Sequence, residues 1–298
     1  MTRLRNPECL WERPNDAGMF DRFEVESRMG QVSEPLELLP GGLANLNVRV
    51  GAGRVLRVYR RDPLALAVEA TLLRRPWKNV RTPEVLASGE DFLVLEYVAH
   101  APLSDEVEQA EAVGSALAEI HALAFPRAGL LNATLDMGMP YPDVIGTFSD
   151  YALSQLDRAP SGVAAEIRPR VEALLVAHAD TMRHLARASV LLHGDFKVSN
   201  LKWTERGQLL VLDWEFAYSG PCLMDIGQLI RWGAPPSFIE GFTRGYRDHG
   251  GALPEDWQKW AAAFDLFNLA GLLAGSGPGS RRATDVARRI VETLGALR

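Results

Sequence analysis

The sequence predicts an α+β protein in two parts, a small antiparallel sheet with one main helix followed by a larger, mostly helical region. Two patterns predict this fold. Residues 37–97 contain short β-branched-rich runs separated by Gly and Pro, and after residue 102 helical periodicity takes over. The chain has 298 residues, 47% of them apolar. It can therefore bury a core, and its length favours about two domains.

The first part is expected to contain five strands and one helix. Each strand is a short apolar run bounded by turn-forming residues, and the helix lies around Leu64–Arg74. The composition changes near Ala99–Pro102, which places a boundary between a first domain of residues 1–98 and a second of residues 99–298. The predicted strands are Glu37–Leu39, Val48–Val50, Arg54–Tyr59, Val85–Ala87 and Phe92–Tyr97.

The second part is expected to be mostly helical. Asp105 and Glu108 have the spacing of a capping box, so a helix should open there. Two short apolar strands, Val190–Leu192 and Leu209–Leu212, should belong to a small β-ribbon that presents the chemical motif. The other predicted helices are Ile145–Leu156, Ala164–Ala186, Asp225–Trp232, Pro236–His249, Glu255–Ala274 and Arg282–Leu297.

The stretch from His193 to Asn200, His-Gly-Asp-Phe-Lys-Val-Ser-Asn, is the most informative part of the chain. Asp195 and Asn200 lie five positions apart, the interval between the base and the metal-binding Asn in the kinase motif His-Arg-Asp-x-x-x-x-Asn. Asp213 follows thirteen positions after Asn200 and ends an apolar strand, as the metal-binding Asp of Asp-Phe-Gly does. In this order and at these separations, the three residues indicate phosphoryl transfer.

Transfer of the terminal phosphate of ATP to a hydroxyl needs positioning, charge neutralisation and a proton acceptor. We expect Asp195 to be the base, or at least the group that orients the acceptor hydroxyl, although an isolated Asp is more often a surface or capping residue. Asn200 and Asp213 offer the oxygen ligands that suit Mg²⁺. Asn200 could instead close a turn, whereas burying Asp213 without a counter-ion would be costly.

Two neighbouring charged residues keep alternative interpretations. Lys197 lies beside the base, where a cation could steady the transferring phosphoryl group, and a solvated lysine is the alternative. Glu215 could face the metals or the acceptor pocket, and a solvated loop carboxylate is the alternative.

The first part carries candidates for nucleotide binding. Gly41 and Gly42, followed by Asn45, lie between two strands, where backbone N–H groups can cradle phosphates, although Gly-Gly also marks an ordinary β-turn. Val55 and Arg57 share one face of the next strand. Val55 could therefore cover an adenine while Arg57 reaches the phosphates.

Three further positions complete the predicted nucleotide site. Glu69, on the helix after that strand, would pair with Arg57 and orient it, although each of the two taken alone is more often solvated. The strand ending at Tyr97 leads into the second part, where the Glu96 carbonyl and the Val98 N–H would contact an adenine through the backbone.

A second capping box, Asp225-x-x-Gln228, predicts that Asp225 is a helix N-cap. Its side chain could also hydrogen-bond to the loop around His193 and hold the base in place. We expect His193 itself to be structural, because the reaction needs no second acid beside Asp195.

Together these residues resemble the aminoglycoside phosphotransferase and choline kinase group of small-molecule kinases, the phosphotransferase enzyme family, which shares the protein-kinase fold. The resemblance implies a bilobal protein-kinase-like fold, ATP and Mg²⁺, and roles as base and metal ligands for Asp195, Asn200 and Asp213. Arg57 departs from the Lys of the antibiotic kinases, although arginine is familiar in choline-kinase-like branches and also grips phosphate. The matching pieces run in family order from residue 41 to about 230: GGLAN, VLRVY, Glu69, VLEYV, HGDFKVSN, LVLDWE and the Asp225 segment.

The acceptor is expected to be small. Only Trp214 to Met224 separate Asp213 from the predicted helix at Asp225, which leaves no room for the long docking segment that a protein substrate needs. Candidates are an aminoglycoside or other antibiotic, choline, or a sugar- or amino-acid-like metabolite. Helices from Gly146 to Gly162 and from Pro236 to Ala274 should form its pocket. Acidic residues there could meet a cation or be solvated, namely Glu240, Asp248, Asp256 and Asp265.

Composition narrows the partners. The net charge of −6 argues against nucleic acid and anionic membranes. The N-terminus has no apolar signal region and the chain no run of about 18 apolar residues. Cys9 and Cys222 have no metal-binding spacing, which favours a reduced compartment. We therefore expect a cytoplasmic enzyme, a monomer or a homodimer.

Two other interpretations compete with the kinase. One is a catalytically silent nucleotide-binding module that regulates a partner, which the complete set of Asp195, Asn200 and Asp213 speaks against. The other is an unrelated α+β binding protein in which the motifs coincide by chance. The acceptor, the preference for ATP over GTP and the oligomeric state stay open at this level.

Overall fold

A computed structural model describes residues 4, 6–11, 20–39 and 45–297. Two of the predicted nucleotide-binding residues, Gly41 and Gly42, lie outside the described residues. None of the helices in the described ranges is both long enough and apolar enough to cross a membrane.

The first part of the chain forms a five-stranded antiparallel sheet in the order β1-β2-β3-β5-β4. All five predicted strands and the predicted helix are confirmed, with ends that differ by one or two residues. The strands are β1 (Leu36–Leu38), β2 (Leu46–Val50), β3 (Arg54–Val58), β4 (Val85–Ser88) and β5 (Phe92–Glu96), and the helix that follows β3 is α2 (Pro63–Arg74).

A helix that the sequence did not predict, α1 (Arg22–Met29), precedes this sheet. It escapes prediction because half of its eight residues are charged and its only buried residue is Val25. Val25 packs with Leu56 and Val58, which face one side of β3. Val55 faces the other side, toward the main core.

The second part is mostly helical, as predicted. Its main core is built largely from aromatic and aliphatic side chains of these helices, including the fully buried Phe238, Phe242, Phe264 and Phe267. The helices are α3 (Val107–His121), α4 (Val144–Arg158), α5 (Ser161–Leu185), α6 (Leu223–Ile230), α7 (Pro236–Asp248), α8 (Trp257–Ala274) and α9 (Arg281–Ala296).

The capping box predicted at Asp105 is wrong. The helix α3 begins at Val107, and its N-cap Glu106 makes no side-chain capping bond. Gln109 of the first turn instead accepts a hydrogen bond of 2.9 Å from Ser104 N through its Oε1. This bond fixes the backbone just before α3 and does not cap the N–H groups of the first turn.

Two further sheets connect the helices. One is five-stranded in the order β7-β10-β13-β8-β9 and the other three-stranded in the order β12-β11-β6. The strands are β6 (His100–Pro102), β7 (Ala124–Phe125), β8 (Gly129–Leu131), β9 (Met137–Pro140), β10 (Ser189–Leu192), β11 (Leu201–Thr204), β12 (Leu209–Val211) and β13 (Tyr218–Gly220).

The predicted strands on either side of the motif exist, but they do not pair with each other. β10 pairs with β7 and β13, whereas β12 pairs with β11. The expectation of one ribbon is therefore wrong in its pairing. The hairpin of β11 and β12 closes over a short turn, and such local pairing is favoured over a partner further along the chain.

Candidate active site

The three motif residues lie in two loops at the ends of these strands. Asp195 follows β10, Asn200 ends a one-turn 3-10 helix (Val198–Asn200) before β11, and Asp213 comes two residues after β12. Asp213 has a φ of 70°, a left-handed conformation that Asp and Asn tolerate better than most residues. Hydrogen bonds hold the two loops next to each other.

The loop that carries Asp195 is held by two side chains of α6. The carboxylate of Asp225 accepts hydrogen bonds from His193 N (2.7 Å) and Gly194 N (2.9 Å). The amide of Gln228 accepts from Phe196 N (2.6 Å) and donates to Gly194 O (2.8 Å). Four backbone groups of the loop are thereby fixed to one helix.

Glycine is required at position 194. Gly194 has a φ of 79°, and a Cβ placed there would lie 2.1 Å from the carbonyl oxygen of Phe216. The loop can therefore approach the backbone after Asp213 closely only because no side chain intervenes.

Asp225 is not the N-cap that the sequence predicted. α6 begins at Leu223, so Asp225 is its third residue, and the N-cap Cys222 makes no side-chain capping bond. The completely buried carboxylate of Asp225 is directed to the His193 loop instead. Its role in holding that loop, which the sequence suggested as an addition, is what the structure shows.

His193 joins the two loops. Asp195 N donates to His193 Nδ1 (3.2 Å), so this ring nitrogen is the acceptor and the ring proton belongs on Nε2. Nε2 lies 3.0 Å from Leu212 O, to which it then donates. The neutral, fully buried ring is a structural link between the Asp195 loop and the end of β12, as expected.

Asp195 contacts both of its predicted neighbours. Its Oδ2 accepts a hydrogen bond from Asn200 Nδ2 (2.9 Å) and lies 3.0 Å from Lys197 Nζ. Burial raises the pKa of Asp195, Lys197 opposes this shift, and the nearby charge of Asp213 adds to it. Leu212 N donates to Asn200 O (2.9 Å), so the backbone next to Asp213 is bonded to Asn200 and the three motif residues lie in one cluster.

Asn200 is oriented by its nitrogen. Its Nδ2 donates to the backbone carbonyl of Asp195 (2.9 Å) as well as to the carboxylate. Among the described residues, no hydrogen bond goes to its Oδ1. The amide oxygen is therefore the atom left for a ligand.

Arg57 is the centre of the ion-pair network beside the first sheet. Its Nε lies 3.1 Å from Glu69 Oε2, its Nη2 donates to Asp213 Oδ1, and Glu215 Oε2 is 3.9 Å away. The predicted pairing of Arg57 with Glu69 is present. Trp214 N also donates to Glu69 (3.2 Å), which ties α2 to the Asp213 loop.

The charged groups of this cluster shift one another's pKa. Burial works to raise the pKa of Asp213, but Arg57 outweighs burial and holds the pKa below its ordinary value. Burial and the charge of Asp213 raise the pKa of Glu215 to about 7, against the opposing effect of Arg57. Asn45, another predicted residue, donates to Glu215 Oε2 (2.6 Å).

The strand end predicted to contact adenine is available. Val55 is buried on the same face of β3 as Arg57. The side chain of Glu96 forms an ion pair with Arg81. The backbone of Glu96 belongs to β5. Among the described residues, no partner is found for the Val98 N–H, whereas Tyr97 N donates to Gly53 O (2.8 Å).

One acceptor-side expectation is changed. Asp265 does not face a cationic ligand, because its carboxylate is buried and binds Arg231 through two hydrogen bonds of 2.7 and 2.8 Å. Glu240, Asp248 and Asp256 are exposed, as solvated faces would be.

Glu8 is a site residue that sequence reasoning missed. Its Oε2 lies 3.4 Å from Lys197 Nζ, and its Oε1 accepts from Arg231 Nη1 (3.3 Å) and Trp232 Nε1 (2.9 Å). Burial works to raise the pKa of Glu8, but Lys197 and Arg231 outweigh it and the pKa is lowered. No sequence signal links residues this far apart.

The residues present fit a magnesium–nucleotide complex. Asn200 Oδ1 and the ionised Asp213 are hard oxygen donors. In the described part of the chain, Asn45 Oδ1 is buried without a hydrogen-bond partner, as a polar atom of a ligand site would be. The described residues hold no cluster of three or more His, Cys, Asp or Glu arranged for a metal. A single Asp with an Asn is the ligand set of an ion that shares its coordination with phosphates and water.

Comparison with known proteins assigns the family. A model of the phosphotransferase enzyme family matches residues 35–262, most of the chain. The chain belongs to this family. The match includes every predicted site residue, and Glu8 lies outside it. No curated protein sequence matches the chain significantly.

Solved structures with the fold of this family match nearly the full length. The macrolide 2'-phosphotransferase MphH from Brachybacterium faecium is 21% identical, with 92% of this chain and 97% of that chain covered and a TM-score of 0.64. A choline/ethanolamine kinase family protein from Mesorhizobium loti is 20% identical, with 92% and 98% covered and a TM-score of 0.60. The ADP-bound aminoglycoside phosphotransferase APH(2'')-Ib is 16% identical, with 93% and 98% covered and a TM-score of 0.63. At these identities the likeness shows the fold, and it confirms the expected kinase-like architecture.

Proposed function

We propose that this phosphotransferase moves the γ-phosphate of ATP to a hydroxyl group of a small molecule, in a reaction that depends on Mg²⁺. The observation that carries the proposal is the cluster in which Asp195, Asn200 and Asp213 meet the Arg57–Glu69 pair. These groups supply the proton acceptor, the metal ligands and the phosphate-binding cation that the reaction needs.

The first domain, residues 1–98, provides the nucleotide side in this proposal. Arg57 binds phosphate oxygens while Glu69 holds its guanidinium in place, as their 3.1 Å ion pair allows. Val55 covers the base, and the Glu96 carbonyl and Val98 N–H contact its edge. Gly41, Gly42 and Asn45 are assigned to phosphate binding from the sequence, through backbone N–H groups.

The second domain, residues 99–298, provides the chemistry. Asn200 and Asp213 hold Mg²⁺, which when bound neutralises the charge of the phosphates. Asp195 accepts the proton of the acceptor hydroxyl while that oxygen bonds to the γ-phosphorus and the bond to the bridging oxygen of ADP breaks. Its raised pKa makes it a stronger base than an ordinary carboxylate. Lys197, 3.0 Å from Asp195, steadies the phosphoryl group as it transfers.

The proposed acceptor is a small polar or cationic molecule, such as an aminoglycoside or another antibiotic, or a choline-like or sugar-like metabolite. Between Asp213 and α6 the chain forms β13, whose residues pair with β10. This segment is taken up by the sheet, so it cannot serve as a docking platform for a protein substrate. The structurally similar proteins include a macrolide 2'-phosphotransferase, an aminoglycoside phosphotransferase and a choline/ethanolamine kinase family protein, which supports this range of acceptors.

The test is transfer of radiolabelled phosphate from ATP to a panel of aminoglycosides, macrolides, choline and amino-sugars. We expect one class to be labelled only when Mg²⁺ is present. Slow hydrolysis of ATP with water as acceptor is measured in parallel. If neither a labelled acceptor nor Mg²⁺-dependent hydrolysis is found, and MgATP does not raise the melting temperature, the proposal is wrong.

A further inference from the structure

A short stretch near the start of the described chain is packed against the second part of the molecule. A 3-10 turn (Pro7–Leu10) carries Glu8, and Trp11 follows it. The Trp11 ring meets Trp232 edge to face at a centroid distance of 5.7 Å, and its Nε1 donates to Asp285 Oδ2 on α9 (3.1 Å). This segment, residues 6–11, is called the N-terminal segment below.

The N-terminal segment places one carboxylate, that of Glu8, next to Lys197, the lysine that pairs with the proposed base. Lys197 Nζ lies between two carboxylates, at 3.0 Å from Asp195 Oδ2 and 3.4 Å from Glu8 Oε2. The side chain of Glu8 is only 12% exposed. The ammonium group of Lys197, beside the proposed base Asp195, therefore also pairs with Glu8, a residue near the start of the chain.

The other contacts of Glu8 fix its position. Glu8 Oε1 is held by Arg231 (3.3 Å) and by Trp232 Nε1 (2.9 Å). Arg231 is already neutralised by two hydrogen bonds to Asp265. Arg231 therefore serves as an anchor for one oxygen of Glu8, and the charge of Glu8 remains to balance Lys197.

A lysine needs such a partner to stay in one place. Its ammonium is a point charge on a flexible four-carbon stem. With Asp195 as its only partner, Lys197 would form a tight ion pair with the base and reduce the ability of that carboxylate to accept a proton. A second carboxylate in a fixed position, that of Glu8, also attracts the ammonium group and so weakens the ion pair between Lys197 and Asp195.

We propose that Glu8 is a positioning residue, which holds the ammonium group of Lys197 beside Asp195 and thereby completes the active site from the N-terminal segment. This inference rests on the proposed function, because it takes Asp195 as the proton acceptor and Lys197 as the cation near the phosphoryl group. Glu8 does not touch the reacting atoms and acts through Lys197.

The test is a double-mutant cycle with Glu8→Gln, Lys197→Met and the double variant, assayed by Mg²⁺-dependent ATP hydrolysis with water as acceptor. Glu8→Gln should lower kcat about tenfold and leave the KM for ATP unchanged, since Glu8 contacts nothing on the nucleotide side. In the Lys197→Met background the same change should alter kcat less than about twofold. Glu8→Asp should retain part of the activity. An equal loss of kcat in both backgrounds would overturn the proposal.

A matched variant distinguishes the positioning of Lys197 by Glu8 from the docking of the N-terminal segment on α9. Asp285→Asn weakens the anchor of Trp11 on α9 without touching Lys197. It should leave kcat within about twofold of the parent, because independent sites do not couple. If Asp285→Asn lowers kcat as much as Glu8→Gln does, and by the same factor in the Lys197→Met background, the segment acts through its docking and not through Lys197, and the proposal fails.

A second readout needs no catalysis. The rates of amine acylation at Lys197 and at the exposed Lys78 are compared by mass spectrometry in the parent and in Glu8→Gln. Lys197 should react several-fold faster in the variant while Lys78 is unchanged, because a lost carboxylate partner favours the reactive neutral amine. An unchanged ratio would mean that Glu8 does not hold Lys197. An inactive parent protein would count against the proposed function instead, and the labelling ratio would still decide whether Glu8 holds the lysine.

Discussion

Arg57 donates a hydrogen bond to the carboxylate of Asp213, which lies 156 positions further along the chain. The residue proposed to bind phosphate and the residue proposed to bind the metal thus neutralise each other across the boundary between the first sheet and the second part. In the proposed reaction MgATP would offer each of them an opposite charge, the phosphates to Arg57 and the metal to Asp213. Binding of the nucleotide would then replace this ion pair by two other charge interactions.

Replacement of Asp195 by Asn should lower kcat by about 10²–10⁴-fold, the contribution of a general base. The KM for ATP should stay close to that of the parent, because Asp195 lies on the acceptor side. Phosphate transfer is measured at saturating ATP, with Asp157→Asn, an exposed carboxylate paired with Arg168, as control. Near-parental turnover in Asp195→Asn would refute the role as base.

Replacement of Asp213 by Asn should abolish turnover at ordinary Mg²⁺ concentrations, because a neutral amide is a weaker ligand than a carboxylate. Asn tolerates the left-handed backbone at this position, so folding should be retained. The control is Asp256→Asn, which changes an exposed Asp with a φ of 53°. Activity is titrated with MgCl₂, and EDTA should silence the parent enzyme. Full activity of the parent in EDTA would exclude the proposed metal.

Replacement of Arg57 by Lys should retain substantial activity and raise the KM for ATP, because a lysine keeps the charge but loses the two-pronged grip. Arg57→Met should behave differently. It leaves Glu69, Asp213 and Glu215 without their shared cation and should lower the free energy of unfolding by about 3–5 kcal/mol. Steady-state kinetics and urea denaturation test the two variants. An unchanged KM in Arg57→Lys would contradict phosphate binding by this residue.

Replacement of Asp225 by Asn should weaken the Asp195 loop. One carboxylate oxygen becomes an NH₂ group that cannot accept from His193 N or Gly194 N. The loss of one hydrogen bond to a charged group should cost about 2 kcal/mol of unfolding free energy, and kcat should fall while the KM for ATP changes little. Retention of full stability and kcat would show that Asp225 does not position the loop.

The contribution of Glu8 to stability should depend on pH. The folded protein lowers the pKa of Glu8, so this contribution is complete above the ordinary glutamate pKa of about 4.3 and is lost as the pH falls below it. The difference in unfolding free energy between the parent and Glu8→Gln should be present at neutral pH and vanish in acid. A difference that is constant over this range would argue against an ionised Glu8.

Prediction from the sequence succeeded where the decisive contacts are local or follow from strand alternation. The first sheet and its helix, and most second-part helices, follow from apolar periodicity within single segments. The neighbourhood of Asp195 and Asn200 follows from their places in one short loop. The pair of Arg57 with Glu69 follows from one strand face and the next helix.

Prediction from the sequence failed where the contacts of a residue depend on a partner far away in the chain. α1 was missed because half of its residues are charged and Val25 is its only buried residue. Asp225 was mistaken for a cap because Asp before a helix usually binds its own helix, whereas here two backbone groups over 30 residues earlier compete successfully. The single ribbon expected beside the motif does not form, because the partners of β10 are β7 and β13, which are distant in the chain.

By itself, the sequence determined the α+β class, the order of the elements and the short-range spacing of the chemical groups, since these depend on interactions within a segment. Only the tertiary structure decided that Arg57 faces Asp213, that Asp225 grips the His193 loop and that Glu8 reaches Lys197. Ion pairs and buried hydrogen bonds depend on distance in space, and a linear pattern carries no measure of that distance.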